Sequence, residues 1–131
     1  SHLDESIPSV PLIADQIQQV FVNILINAVD AIAEKKEKYK SGEESFIKVA
    51  TSIKDATIMV VFDDNGIGIP EESLSKVFEP FFTTKKEGKG TGLGLWVSYG
   101  IIKSSHGDIK VESADNKGTT FIINFPLNLI L

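Results

Sequence analysis

Between Ile17 and Ala33 the chain reads as a helix turned nearly inside out. At about 100° per residue, Gln16, Gln19, Asn23, Asn27, Asp30 and Glu34 fall within roughly 80° of one another. Nearly everything between them is apolar: Ile17, Val20, Phe21, Val22, Ile24, Leu25, Ile26, Ala28, Val29, Ala31 and Ile32. A surface helix of a globular domain carries a wide polar face. A rod with only a narrow polar strip is either mostly buried with that strip at the solvent, or it sets the strip along a wet cavity. In both cases the remaining chain must supply a layer for the rod to pack on.

The remaining chain offers strands for that layer. "VPLIA" (10–14) reads as a short strand, with Asp15 as an N-cap and the long helix running to about Tyr39. A charged loop follows (35–45). "FIKVATSIK" (46–54) and "TIMVVFDD" (57–64) read as strands joined by the turn "DA". Residues 65–90 are irregular, with one short helical stretch, "EESLSKVF", and long irregular segments are more often functional than idle. A second helix is expected over 91–107, then strands at 108–113 and 119–126. Adjacent strands with short links point to hairpins, so the class is α+β, with helices packed on one face of a sheet.

Composition narrows the function classes. At 131 residues, with 42% hydrophobic and 24% charged residues, the chain suits one globular domain (8–131) behind a tail or expression-vector remnant (1–7). No apolar run approaches the ~20 residues of a membrane span, and no signal-peptide pattern opens the sequence, so a cytoplasmic location is expected. There are no cysteines, which excludes disulfides and thiolate metal sites. His2 and His106 stand too far apart to suggest a zinc site. A net charge of −5 disfavours nucleic-acid binding.

Three stretches carry chemistry. Asn23 and Asn27 place two amides on one helix face at i and i+4, and their carbonyl oxygens suit a hard cation such as Mg²⁺, which needs one or two protein oxygens beside waters and phosphates. "GKGTGLGL" (88–95) runs into a helix. Its glycines permit close backbone approach, and a helix N-terminus attracts anions, so it reads as a phosphate-binding loop or a flexible hinge. Its spacing matches neither the Walker A loop nor the dinucleotide fingerprint. In "DDNGIGIP" (63–70) Asp64 ends an apolar strand, so its carboxylate is expected to be partly buried and to need a donor. An adenine exocyclic amine is such a donor, and a plain turn is the alternative. The EF-hand spacing is absent.

Taken in order, these segments resemble the catalytic, ATP-binding domain of sensor histidine kinases, within the wider group of gyrase-type, heat-shock-chaperone and mismatch-repair ATPases. "NILINAVDAI" looks like the N box, "DDNGIGIP" the G1 box, "VFEPFFTTK" the F box, "GKGTGLGL" the G2 box and "GTTF" (118–121) the last glycine box. The likeness runs from about Pro8 to Pro126, and "NAVDAI" with "FFTTK" points towards the branch related to nitrogen-regulation kinases. It implies a two-layer α/β sandwich (the Bergerat fold), with a mixed five-stranded sheet against three helices and a flexible lid over about 70–90. By position, it implies that Asn27 ligates Mg²⁺ with Asn23 assisting. Asp64 takes the adenine amine, helped through water by Thr119, with Gly66, Gly68 and Ile69 beside it. Gly90, Thr91, Gly92, Leu93 and Gly94 follow the phosphates, and Thr84, Lys85 and Lys89 reach them from the lid. Lys85, Asn23 and Asn27 form the catalytic set. Asp30 lies in the ATP site where many members carry a cation.

The resemblance also implies partners. In the ATPase relatives the residue at Asn23 is a glutamate that activates water. An amide cannot act as a general base near neutral pH, which favours transfer over hydrolysis. The acceptor would be a histidine on a separate dimerisation hairpin of the parent kinase, and the phosphoryl group would pass on to a response-regulator receiver domain. The parent would be a homodimer and this piece a monomer. Neither histidine here looks like that acceptor: His2 lacks the acidic residue that follows it in most members, and His106 is expected to pack or cap. Phe78, Phe81 and Phe82 cluster by the lid, where an exposed pair would suit docking on the hairpin, and Trp96 is expected to pack. A serine kinase of the anti-sigma-factor type and a non-catalytic ATP-binding regulatory module are the alternatives.

Overall fold

The computed structural model describes residues 10–40, 42–82 and 94–129. Helix α1 spans Val10–Tyr39, strand β1 Ile47–Lys54, β2 Thr57–Asp64, the single turn α2 Glu71–Leu74, α3 Gly94–Ser104, β3 Asp108–Ala114 and β4 Gly118–Pro126, closed by a 3₁₀ turn at Leu127–Leu129. The strands form one sheet in the order β1-β2-β4-β3, and every neighbouring pair is antiparallel.

Three expectations are corrected here. Residues 10–14 are the first turn of α1 rather than a strand, and Asp15 lies exposed inside the helix rather than capping it. The physical reason is Pro11. One residue from the helix start, it gives up an N–H that has no intrahelical acceptor, and its fixed φ suits a helix, so it opens α1 instead of preceding it. Among the described residues the sheet is therefore four-stranded and antiparallel, not five-stranded and mixed. Helix α3 is described from Gly94, because residues 91–93 lie outside the described ones, and it ends at Ser104.

The core lies between the sheet and α1 with α3. Ile58, Val60 and Phe62 on β2 and Phe121, Ile123 and Phe125 on β4 alternate inward. The register sets Phe62 against Phe121, Val60 against Ile123 and Ile58 against Phe125, so each aromatic or branched side chain meets another across the strands. From α1, Ile17, Val20 and Ile24 enter the same cluster at i, i+3 and i+7, and Ile102 comes from α3. Full burial of one such side chain contributes about 1.5–3 kcal/mol. The β1–β2 turn holds Asp55 at φ 52° and Ala56 at φ 61°, the positive pair that a two-residue hairpin needs to match strand twist.

The polar strip of α1 runs along the flank of its buried apolar side. Asn23, Asn27, Asp30 and Glu34 are half-buried, whereas Val22, Ile26 and Val29 are about half exposed on the outer side. Contrary to expectation, α1 is long and apolar enough by composition to cross a membrane. Here its inner side packs on β2, β4 and α3, as the central helix of the layer.

Candidate nucleotide site

The site is built where β2 ends against α1 and β4. Asp64 is the last residue of β2 and only 5% exposed. It pairs with Thr119 across the ladder. Its Oδ1 accepts the Gly66 N–H at 2.8 Å, and the Thr119 backbone N–H also donates to the carboxylate. Burial pushes the Asp64 pKa above the usual carboxylate range, and neighbouring Asp63 adds to the rise; the two N–H donors and, more weakly, the charge of Lys35 work against it. The side chain is thus a carboxylate fixed by two backbone N–H groups, and it can only accept when ionised.

The glycines of this turn are required by close approach. A Cβ on Gly66 would stand 2.6 Å from the Ala31 Cβ and 2.7 Å from the Ala31 carbonyl carbon, so the turn touches the α1 backbone. Ile67 N–H then donates to the Ala31 carbonyl at 2.9 Å, which fastens the turn to the helix. Gly68 sits at φ +77° under the Ala114 carbonyl, and Gly118 at φ +99° over the Asp64 carbonyl. A side chain at either position would be strained and obstructed.

Below them Ser113 gathers three groups. It accepts the Ile69 N–H at 2.7 Å, donates to the Gly118 carbonyl at 2.7 Å and meets the Thr119 hydroxyl at 2.9 Å. Asp64, Gly66, Gly68, Ile69 and Thr119, all picked out from sequence, therefore converge on one rigid floor.

The helix wall carries Asn23, Asn27 and Asp30. The Asn23 Nδ2 donates to the Gly94 carbonyl at 3.3 Å and to the buried Ser98 Oγ at 3.2 Å, tying α1 to the start of α3. No partner for its Oδ1 is found among the described residues, so that oxygen can still accept. Asn27 lies one turn on, half-buried on the same face. No group of three carboxylate, histidine or cysteine side chains gathers among the described residues. A donor set of one or two amide oxygens fits Mg²⁺ completed by water and phosphate oxygens, and no ion needing a full protein cage. Thr84, Lys85, Lys89, Gly90, Thr91, Gly92 and Leu93 lie outside the described residues.

Sequence reasoning missed four participants. Ser98 and Ser113 carry no local signal, since Ser98 acts through Asn23 on α1 and Ser113 through Ile69 and, across the β3–β4 pair, Gly118 and Thr119. Asn65 stood in the quoted turn but had no role assigned. Lys35 read as part of a charged loop, yet it is buried. The expectation that Trp96 packs also fails: it is 47% exposed, on the outer side of α3. His106 closes α3 through its backbone. It takes φ 61° with His106 N–H on the Lys103 carbonyl and Gly107 N–H on the Ile102 carbonyl, the Schellman pattern.

Nearly the whole chain is similar to known proteins. Residues 13–129 match the profile of the family described as histidine kinase-, DNA gyrase B- and HSP90-like ATPases. The chain is 39% identical over 125 residues to sporulation kinase E of Bacillus subtilis (strain 168), covering 95% of this chain and 16% of that protein. It is 35% identical over 126 residues to the sensor histidine kinase ZraS of Escherichia coli (strain K12), covering 96% of this chain and 25% of that one. The chain thus spans a quarter or less of these relatives. Among solved structures, the nucleotide-free catalytic domain of the histidine kinase ThkA superposes with a TM-score of 0.67 at 36% identity, covering 86% of this chain and 67% of that one. The chain belongs to the histidine kinase-, DNA gyrase B- and HSP90-like ATPase family, as a catalytic domain of the sensor histidine kinase type.

Proposed function

We propose that this domain binds Mg-ATP between α1 and the Asp64 floor and presents the γ-phosphoryl group to a histidine on a separate helical hairpin of its parent kinase. The observation that carries the adenine assignment is Asp64: a carboxylate 5% exposed, held by two backbone N–H groups, with acceptor capacity left for the exocyclic amine. Guanine presents a carbonyl at that position, so the same carboxylate rejects it. Thr119 assists through water. Gly66 and Gly68 keep the floor low enough for the base.

Asn27 holds the metal, with the Asn23 oxygen beside it. Mg²⁺ supplies charge neutralisation at the phosphates. Asp30 borders this wall, and Lys85 and Lys89, with Thr84, reach the phosphates from the lid, while Gly90 to Gly94 follow them with backbone N–H groups. The acceptor nitrogen attacks the γ-phosphorus, the bond to the β–γ bridging oxygen breaks, and ADP leaves. Asn23 supports transfer over hydrolysis, because its amide is a donor to α3 and cannot take a proton from water near neutral pH.

The hairpin and a response-regulator receiver domain are the partners, the latter taking the phosphoryl group onto an aspartate. Phe81 supports docking on the hairpin: it is 73% exposed and held at φ 65°, an uncommon backbone state for an aromatic residue. The isolated domain is a monomer acting in the cytosol, and the parent is a homodimer.

The test is transfer of label from γ-labelled ATP to the parent's own hairpin. Acid-labile, base-stable label supports phosphohistidine. Acid-stable label points to a serine acceptor, and binding without any transfer points to a regulatory module. Asp64→Asn should lose the preference for ATP over GTP, and retained selectivity would move the adenine contact elsewhere.

A further inference from the structure

Lys35 is an ammonium in an unusual place. Its side chain is 10% exposed, and a buried charge persists only where it is paired and hydrogen-bonded. It donates to Glu43 Oε2 at 3.0 Å and to the Asn65 carbonyl at 3.1 Å. Asn65 completes the cluster. Its Nδ2 donates to Glu43 Oε1 at 3.2 Å and to the Glu44 carbonyl at 2.8 Å, and its Oδ1 accepts the Phe46 N–H at 2.8 Å. The same groups border a shallow cleft with Ile32, Lys36 and Ser45. The cluster ties the end of α1, the loop before β1 and the turn after β2 together.

The decisive detail is which carbonyl Lys35 holds. The Asn65 carbonyl belongs to the peptide unit whose N–H is that of Gly66, and the Gly66 N–H is the donor to Asp64 Oδ1. A cation on the oxygen and a carboxylate at the hydrogen fix the plane of that peptide at both ends. They also polarise it in one direction, and hydrogen bonds in such a chain strengthen one another. Glu43, on the loop before β1, keeps the ammonium in place.

We propose that Lys35 is a positioning residue for adenine recognition: clamped by Glu43, it holds the Asn65–Gly66 peptide with its N–H aimed at Asp64 and so fixes the carboxylate that reads the base. This rests on Asp64 being the adenine contact. The test uses the 131-residue chain, with ATP and GTP titrated calorimetrically and the Gly66 amide followed by ¹H–¹⁵N NMR in the nucleotide-free protein. Lys35→Met should shift the Gly66 amide proton upfield and weaken ATP binding about tenfold, with GTP affected less. Lys35→Arg should restore both. A folded Lys35→Met with an unshifted Gly66 amide and the original ATP-to-GTP ratio overturns the proposal.

Asp64→Asn separates the two ideas. If it leaves selectivity intact, the adenine contact is wrong and so is Lys35's part in recognition. If it abolishes selectivity while Lys35→Met changes nothing, the role of Lys35 alone fails. Should Lys35→Met not fold, Glu43→Gln loosens the clamp from its exposed side. A smaller upfield shift of Gly66 then supports the proposal, and no shift overturns it.

Discussion

Replacing Gly66 by alanine tests the contact on which the site depends. The added Cβ would stand 2.6 Å from the Ala31 Cβ, 2.7 Å from its carbonyl carbon and 2.8 Å from the Ile32 nitrogen. Carbon atoms settle at about 3.5–4.0 Å, so α1 and the turn must part by roughly 1 Å. Two of the three obstructing atoms are helix backbone, which cannot swing aside as a side chain does. The Ile67 N–H bond to the Ala31 carbonyl, now 2.9 Å, would then stretch past hydrogen-bonding range. Overpacking costs about 1–3 kcal/mol and the lost bond about 1 kcal/mol, a sum of about 2–4 kcal/mol. For a chain of this size that lowers Tm by about 10 °C. Thermal unfolding followed by far-UV circular dichroism reads this directly. Gly100→Ala is the control: nothing lies within 4 Å of its Cβ position, it sits inside α3, and alanine there should stabilise by about 0.5–1 kcal/mol. A Gly66→Ala protein melting within about 2 °C of the parent would refute the close approach of turn and helix.

Other consequences can be measured alongside. Burial raises the Asp64 pKa above 3.8, so its contribution to nucleotide-free stability is fully present below the unfolded value and lost as pH rises through the folded one. An adenine amine bonded to the ionised form offsets that loss, so the rise in Tm on saturating ATP should grow as pH climbs above about 4; a pH-independent rise would contradict the pairing. Asn23→Ala should destabilise the nucleotide-free domain by about 1–3 kcal/mol, because buried Ser98 and the Gly94 carbonyl lose their donor, and an unchanged denaturant midpoint would remove the strut. His106→Gly should raise stability by about 0.5–1 kcal/mol, since only a glycine takes the left-handed φ of 61° without strain; chemical denaturation decides it.

How much of this was legible in the sequence follows from how local each cause is. The β2 and β4 strands were readable as short β-branched and aromatic runs, "TIMVVF" and "TTFIINF", bounded by turn residues, whereas which side faces the core came only from the fold, because Met59, Val61 and Ile122 are apolar too. The glycines at 66, 68 and 118 were readable as motif positions, although the atoms that forbid a side chain there belong to Ala31, Ala114 and Asp64. The start of α1 was misread because Pro11 breaks a helix in the interior but opens one in its first turn, and composition alone does not separate the two. Ser113 and Ser98 were invisible: Ser98 acts through Asn23 on another helix, and Ser113 through Ile69 and across a strand pair whose register only the folded sheet defines.

The same distinction explains why α1 looks inverted. In an ordinary surface helix the apolar stripe faces the core and the polar face meets water. Here Ile17, Val20, Ile24 and Ala28 still face the core, while Asn23, Asn27 and Asp30 stand half-buried along the flank of that stripe, where Asn23 reaches Gly94 and Ser98. That leaves Val22, Ile26 and Val29 on the outer side. A strip of amides on that flank is tolerated only if each amide finds a partner in protein, water or ligand. Asn23 finds part of its own in α3, and no buried side-chain polar atom among the described residues lacks one. The helix is therefore shaped by its polar contact with α3 as well as by the core it covers. A substitution such as Asn23→Leu would make α1 a more ordinary core helix, and it would remove the donor that ties α1 to Gly94 and Ser98.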